Sequence, residues 1–145
     1  MDFFSSMNVS SSALSAERTR MNLISGNLAN ASATRTPEGG PYKRKDAVFS
    51  ATPAENSFSR ALDGATGREV RKVEVTQIIE DQNPPRLQYD PSHPDADPQG
   101  YVAMPNVNVV EEMADMINAT RSYEANVAAV QAAKSMAMKT LEISK

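Results

Sequence analysis

The 145-residue chain has one histidine, and it sits among carboxylates in Asp90-Pro91-Ser92-His93-Pro94-Asp95-Ala96-Asp97-Pro98. An imidazole beside three carboxylates is a donor set that binds divalent metals, and it is raw material for general acid–base catalysis. Pro91, Pro94 and Pro98 argue against both uses. Each ring fixes φ and keeps the segment extended, so neighbouring side chains leave in different directions. The carboxylates then read as the solvated dressing of an extended crossing, and neither a metal nor another cofactor is expected. A nucleophilic triad would have to use His93, and no serine stands in a nucleophile elbow. The phosphate-cradling patterns GxxxxGK[ST] and GxGxxG are missing. Glu111 and Glu112 pair at a helix start, where the macrodipole accounts for them. The chain is not expected to be an enzyme.

Charge and composition narrow the remaining classes. Fifteen basic and eighteen acidic residues leave a formal net charge of −3. There is no broad basic face for nucleic acid or an anionic membrane. Lys43-Arg44-Lys45 is the densest basic cluster; it is either solvated surface or a contact for an acidic neighbour. With no cysteine, a disulfide framework and a zinc–thiolate site are excluded. No run approaches the roughly 18 apolar residues of a membrane span, so no membrane insertion is expected. Asp2 stands where a secretion signal would carry Lys or Arg, and the apolar stretch of such a signal is missing. The expectation is a cytoplasmic chain, or one exported without a cleaved signal peptide.

What positions these residues is a mainly α fold with little to bury. Tryptophan is absent, aromatic residues make up 6%, and mean hydropathy is −0.47. Met7, Leu14, Met21 and Leu28 recur every seven residues, with Ile24 and Ala31 between them late in the run. That narrow stripe predicts a helix over residues 5–30 that pairs with another helix. Its polar side, rich in Ser and Asn, makes it marginal alone. A second helix is predicted over 109–143, after Pro105 and an Asn108 cap with Glu111 three residues on. Val109, Met113, Met116, Thr120, Tyr123, Val127, Val130, Lys134, Ala137 and Leu141 step along it by fours and threes, a coiled-coil seam. The methionines are core filler at this spacing, although Met113 and Met116 would also let the seam repack against non-identical neighbours.

Residues 37–104 differ in kind. Prolines and glycines punctuate short β-like runs at Ala47-Val48-Phe49, at 70–79 with Val73, Val75 and Ile79 on one alternating face, and at 101–104. Three such strands make at most a small sheet. Residues 54–69 read as a mobile loop. The organisation is an N-terminal helix and motif (1–36), an irregular β-rich middle (37–104) and a C-terminal helix (105–145), the two helices forming one discontinuous domain in a coiled-coil-like layer.

Two blocks carry a resemblance. NLANASATRTPEGGPYKRK, starting at Asn27, and the stretch from Asp90 to Ile143 that opens DPSHPDADPQGYVAMPNVNVVEEMADMINATRSYEAN resemble bacterial flagellar rod proteins, most closely the C-type subclass of the proximal rod. Residues 46–82 match no motif. The resemblance implies a structural subunit of the basal body, whose terminal helices line a hollow axial shaft in the periplasm. It implies export by the flagellar type III apparatus. It also implies other proximal and distal rod proteins as partners, with further copies of the same chain as additional neighbours. Leu14, Met21, Ile24, Asn27, Leu28, Asn30, Val109, Met113, Met116, Tyr123, Val127, Val130 and Leu141 are the residues expected at the assembly interface. Ser25, Gly26, Ala29 and Ala31 are small enough for helices of different subunits to approach closely. Asn27 and Asn30 either finish their own helix or bridge to a neighbour's carbonyls. The competing expectation is a soluble two-helix adaptor that binds a partner through its middle segment.

Overall fold

A computed structural model describes residues 3–53 and 70–143; the loop expected over 54–69 lies outside the described residues. Two terminal helices enclose a small β-rich middle. Helix α1 spans Phe3–Ala29 and α2 spans Val109–Ile143, 27 and 35 residues, or about 40 and 50 Å. They lie antiparallel: Asn27 bonds Glu112, and Arg20 faces Asp115. Asn108 caps α2, its Oδ1 accepting the Val110 N–H at 3.2 Å, which satisfies one of the free donors of the first turn. The polar residues that weaken both helices are answered locally. Ser12, Thr19, Thr120, Asn126 and Thr140 donate to carbonyls three or four residues back.

Strands β1 (Lys45–Pro53) and β2 (Arg71–Glu80) pair antiparallel from Lys45↔Glu80 to Pro53↔Arg71. A bulge intervenes: Val48 faces Gln77 and Phe49 faces Val75, leaving Thr76 extra. One added residue reverses the alternation beyond it. Ile78, and not Ile79 as expected, therefore shares a face with Val73 and Val75. This hairpin packs on α1, where the Val73 N–H donates to Ser12 Oγ at 3.1 Å. A second hairpin joins β3 (Arg86–Tyr89) to β4 (Tyr101–Met104). The expected single sheet is thus two separate two-stranded sheets, since β4 pairs with the four-residue β3, which is not among the expected runs.

The buried apolar set is small. Among the described residues it comprises Ala16, Ile24, Val102, Val107, Ala119 and Ala133. Three alanines cannot contribute what three leucines would, because stabilisation follows the apolar area removed from water. Asn27, Glu112, Val102 and Pro105 are the largest side chains buried almost completely. Two of those four are polar.

Candidate functional site: a polar clasp between the helices

The segment following α1 leaves the helix, turns and returns to it. Asn30 closes the helix by donating its backbone N–H and its Nδ2 to the Gly26 carbonyl, at 3.1 and 2.9 Å. Gly39 N then donates to Thr36 O, and Thr36 N to Gly40 O. Gly39 and Gly40 hold φ at 89° and 80°, a region costly for any residue with a Cβ. The turn sends Tyr42 back alongside α1, its N–H bonded to Ala33 O at 3.0 Å.

Asn27 is the centre of what this return builds. Its Nδ2 donates to Lys45 O at 2.9 Å and to Glu112 Oε2 at 3.0 Å. Its Oδ1 accepts from Lys45 N at 2.9 Å and from Tyr42 Oη at 3.0 Å. A carboxamide has two N–H donors and two acceptor lone pairs, and here all four are used. Burial pushes the Tyr42 pKa above the ordinary phenol value, because the charged phenolate is the poorly solvated form.

Glu112, 1% exposed, completes the clasp with its second oxygen, which pairs with Arg44 Nε. That bond raises the Arg44 pKa further above its ordinary value. The Arg44 Nη atoms also face Asp46 at 3.6 Å and Asp115 at 3.8 Å, and Arg20 approaches Asp115 from α1. Lys45 Nζ lies 3.4 Å from Glu80. Arg44 and Lys45 of the basic cluster thus meet acidic neighbours within their own chain. Glu112 is a buried partner of Asn27 and Arg44, which corrects its assignment to the helix macrodipole alone. Such a network favours one arrangement over others more than it adds stability, since desolvation offsets much of the attraction.

The acidic segment 90–98 forms a second tie and not an extended crossing. It folds into tight turns, with His93 N bonded to Asp90 O and Ala96 N to His93 O. Asp95 accepts from Thr34 Oγ1 at 2.8 Å and pairs with Arg35 at 2.7 Å, fastening this loop to the exit of α1. Asp90 accepts from Ser92 N and Oγ, which lowers its pKa. Asp97 accepts from Gln99 N and Tyr101 N, and His93 Nδ1 from Asp95 N. Asp90, His93 and Asp97 each serve their own turn and Asp95 ties the loop to α1; among the described residues no three His, Cys, Asp or Glu groups converge for a metal.

The residues expected at the assembly interface fall into three groups. Ile24 and Asn27 are buried, and Asn30 is occupied by the helix end. Leu14, Met21, Leu28, Met116, Tyr123, Val127 and Val130 are half-buried along the helix pair. Val109, Met113 and Leu141 are exposed. The buried positions on α2 are instead Glu112, Ala119 and Ala133. Glu112, Ala119, Asn126 and Ala133 recur every seven residues, interleaved with Met116, Tyr123, Val130 and Ala137. Heptad spacing alone contains both this seam and the expected one, and small or polar side chains hide the one that is used.

Residues 7–35 match the family described as flagella basal body rod protein, and 99–143 match the C-terminal region of the flagellar basal body rod FlgEFG proteins. The clasp ties these two segments together. Over 152 residues, covering 100% of each chain, the sequence is 46% identical to the flagellar basal-body rod protein FlgC of Bacillus subtilis. It is 46% identical to FlgC of Borreliella burgdorferi, covering 99% of this chain and 98% of that one. For FlgC of Salmonella typhimurium the identity is 42%, covering 93% and 92%. At this identity over nearly the whole length, the chain belongs to the FlgC family of flagellar basal-body rod proteins.

Proposed function

We propose that this chain is a structural subunit of the flagellar basal-body rod, held in place by its terminal helices packing against those of neighbouring subunits. Full-length identity to FlgC proteins carries the proposal. The small buried core and the large apolar side chains left exposed on α2 support it, because a helix that hides alanines and shows Val110, Met113 and Ile117 is built for further packing.

In this proposal the two helices act as one discontinuous unit, and the middle segment rides on them. Val109, Met113 and Leu141 meet neighbours directly. Leu14, Met21, Leu28, Met116, Tyr123, Val127 and Val130 lie at the edges of the pair, and Ile24, Asn27 and Asn30 hold the surface in shape. The partners are other proximal and distal rod proteins and further copies of this chain. The flagellar type III apparatus delivers it to the periplasmic rod. Its work is mechanical, with no catalysis. A photo-cross-linking residue placed at Tyr123 or at Leu28 in motile cells tests this. Adducts with other axial proteins are expected; cross-links confined to a single chain would favour the adaptor and sink the proposal.

A further inference from the structure

Two apolar surfaces near the clasp end of the molecule are bare. The first is on α2. Val109, Met113 and Ile117 follow one another at four-residue steps, Val110 lies beside them, and all four are exposed. Arg121 continues the same line one turn further on; it is exposed and forms no ion pair among the described residues. Glu124 closes the strip. Glu111 projects from the other side of the helix, where its charge acts on Arg44. The second surface is the outer face of the β3–β4 hairpin. Leu87 pairs with Ala103 and Tyr89 with Tyr101, so these four share one face, and Leu87 and Tyr89 are 66% and 65% exposed. The opposite face carries Arg86, Gln88, Val102 and Met104. There Val102 is buried, and Arg86 and Met104 border the same groove as Val109 and Val110. The outer face therefore looks away from the start of α2.

We infer that these two surfaces meet between copies: the α2 strip 109–117 of one chain lies across the outer hairpin face of a second copy of the same chain. Their dimensions agree. From Val109 to Ile117 is about 12 Å along the helix, and a four-residue strand spans about 10 Å. A two-stranded sheet with a bare apolar face needs a further layer, and an apolar strip of this kind is what a helix offers a sheet. The hairpin face is also prepared for contact. Tyr89 rests on Gly100, where there is no Cβ to displace it, and meets Tyr101 edge-on. A ring fixed before binding loses little freedom when it is covered. Charge selects the occupant and its direction. The turn beyond Tyr89 carries Asp90 and Asp97, which are bonded only to neutral donors, whereas Asp95 is paired with Arg35. Laid with Ile117 toward Tyr89, the strip brings the free Arg121 cation of one copy to the free carboxylates of the next. Both halves come with every copy and face different ways, so the contact is head-to-tail and repeats around a ring or a helix. That repetition rests on the rod proposal above.

The test uses the chain within basal bodies. A photo-cross-linking residue at Tyr89 is expected to join two copies into a chain of doubled mass, and peptide mapping should place the far end of the link between Val109 and Arg121. The same residue at Met113 should link back to the hairpin of another copy. Links from these positions to a different axial protein, links confined to one chain, or no link from a chain present in basal bodies would overturn the contact and leave the rod proposal intact. Absence of the unsubstituted chain from basal bodies would fail both. Charge is tested separately, in cells that make native and variant chains together. Arg121→Glu is expected to enter basal bodies about tenfold less than the native chain, because reversal replaces an attraction by a repulsion. Arg121→Lys keeps the charge and should enter as well as the native chain. Equal entry of Arg121→Glu would remove the ionic selection of a second copy, and the inference with it.

Discussion

Asn27 Nδ2 and Glu112 Oε2 stand 3.0 Å apart although 85 positions separate them in the chain. The bond joins the two segments that match rod-protein families, 7–35 and 99–143. In a chain whose apolar core is mostly alanine and valine, it is also among the few deeply buried contacts between the two ends. A packed core usually defines a fold by shape; here a carboxamide, a carboxylate and a guanidinium define it by matching donors to acceptors.

Asn27→Asp makes that matching testable. The change removes both Nδ2 donors and sets a second carboxylate against Glu112. Breaking a buried polar pair in this way costs on the order of 3–5 kcal/mol. Swimming and basal-body incorporation are expected to be lost. Adding Glu112→Gln moves the donor to the other side of the same bond, because the Gln amide donates to the carboxylate introduced at position 27 while its oxygen still accepts from Arg44. Partial recovery of swimming in the double variant is expected. A double variant no better than Asn27→Asp alone would mean that the two residues do not act through this bond.

Tyr42 predicts how the clasp responds to alkali. Burial raises its folded pKa above the ordinary value, so the folded state holds the phenol proton more tightly than the unfolded chain does. Its contribution is therefore fully present below about pH 10, the ordinary phenol value, and is lost as pH rises through the folded pKa. Ultraviolet titration of tyrosinate in assembled basal bodies containing Tyr42→Phe, compared with the unsubstituted assembly, should lack one late-ionising component. Loss of a component that ionises in the ordinary phenol range instead would place Tyr42 in water and outside the clasp.

Local signals made much of the fold legible. Asn108 and the seven-residue apolar recurrence give α2 its observed limits, Val109 and Ile143, and β4 begins at Tyr101 as its β-branched and aromatic run suggests. Strand β3 escapes because it is only four residues long and directly follows Pro84-Pro85, which reads as loop; the alternation of Arg86, Leu87, Gln88 and Tyr89 is too short to stand out. The bulge at Thr76 is equally silent, and it moves Ile79 off the expected face. The clasp is less visible still. Its bonds connect residues 15, 18, 68 and 85 apart, whereas periodicity reports only near neighbours. Glu112 at a capped helix start satisfies the macrodipole equally well, so nothing local distinguishes it from Glu111, which is exposed.

Among the described residues, Gly100 is the glycine whose replacement should matter most. It has φ 85°, and a Cβ there would stand 2.9 Å from Tyr89 Cε2. Tyr89 in turn meets Tyr101 edge-on, with centroids 5.3 Å apart. Gly100→Ala incurs the positive-φ penalty, roughly 1–2 kcal/mol, and also displaces a ring from a pair worth about 0.5–1.5 kcal/mol. Gly39→Ala incurs only the first cost, since nothing lies within 4 Å. The temperature at which swimming fails should drop further for Gly100→Ala than for Gly39→Ala. The reverse order would indicate that the β3–β4 hairpin is free to yield.

Val127→Asp and Val130→Asp probe the edge of the helix pair. Both valines are half-buried on α2. A charge without a partner at such a place costs on the order of several kcal/mol once a neighbour covers it. Neither variant is expected to enter the basal body, and cells carrying either should fail to swim. Full motility in either would mean that this side of α2 meets solvent in the assembled rod.

The free chain itself supplies the last expectation. Helix α1 averages little hydrophobic content over 27 residues, and its sides are rich in Ser and Asn, which compete with helical hydrogen bonds. The α2 residues buried against it are Glu112 and two alanines. Nucleating two long helices requires tertiary contacts to offset the entropy of ordering them, and six small or medium apolar side chains offer little of that. The purified monomer should therefore show low helicity by circular dichroism, and its helical signal should rise when it joins its partners. A sharp, cooperative melt in dilute monomer, with α1 and α2 both fully formed, would show that the clasp and this small core suffice without neighbours.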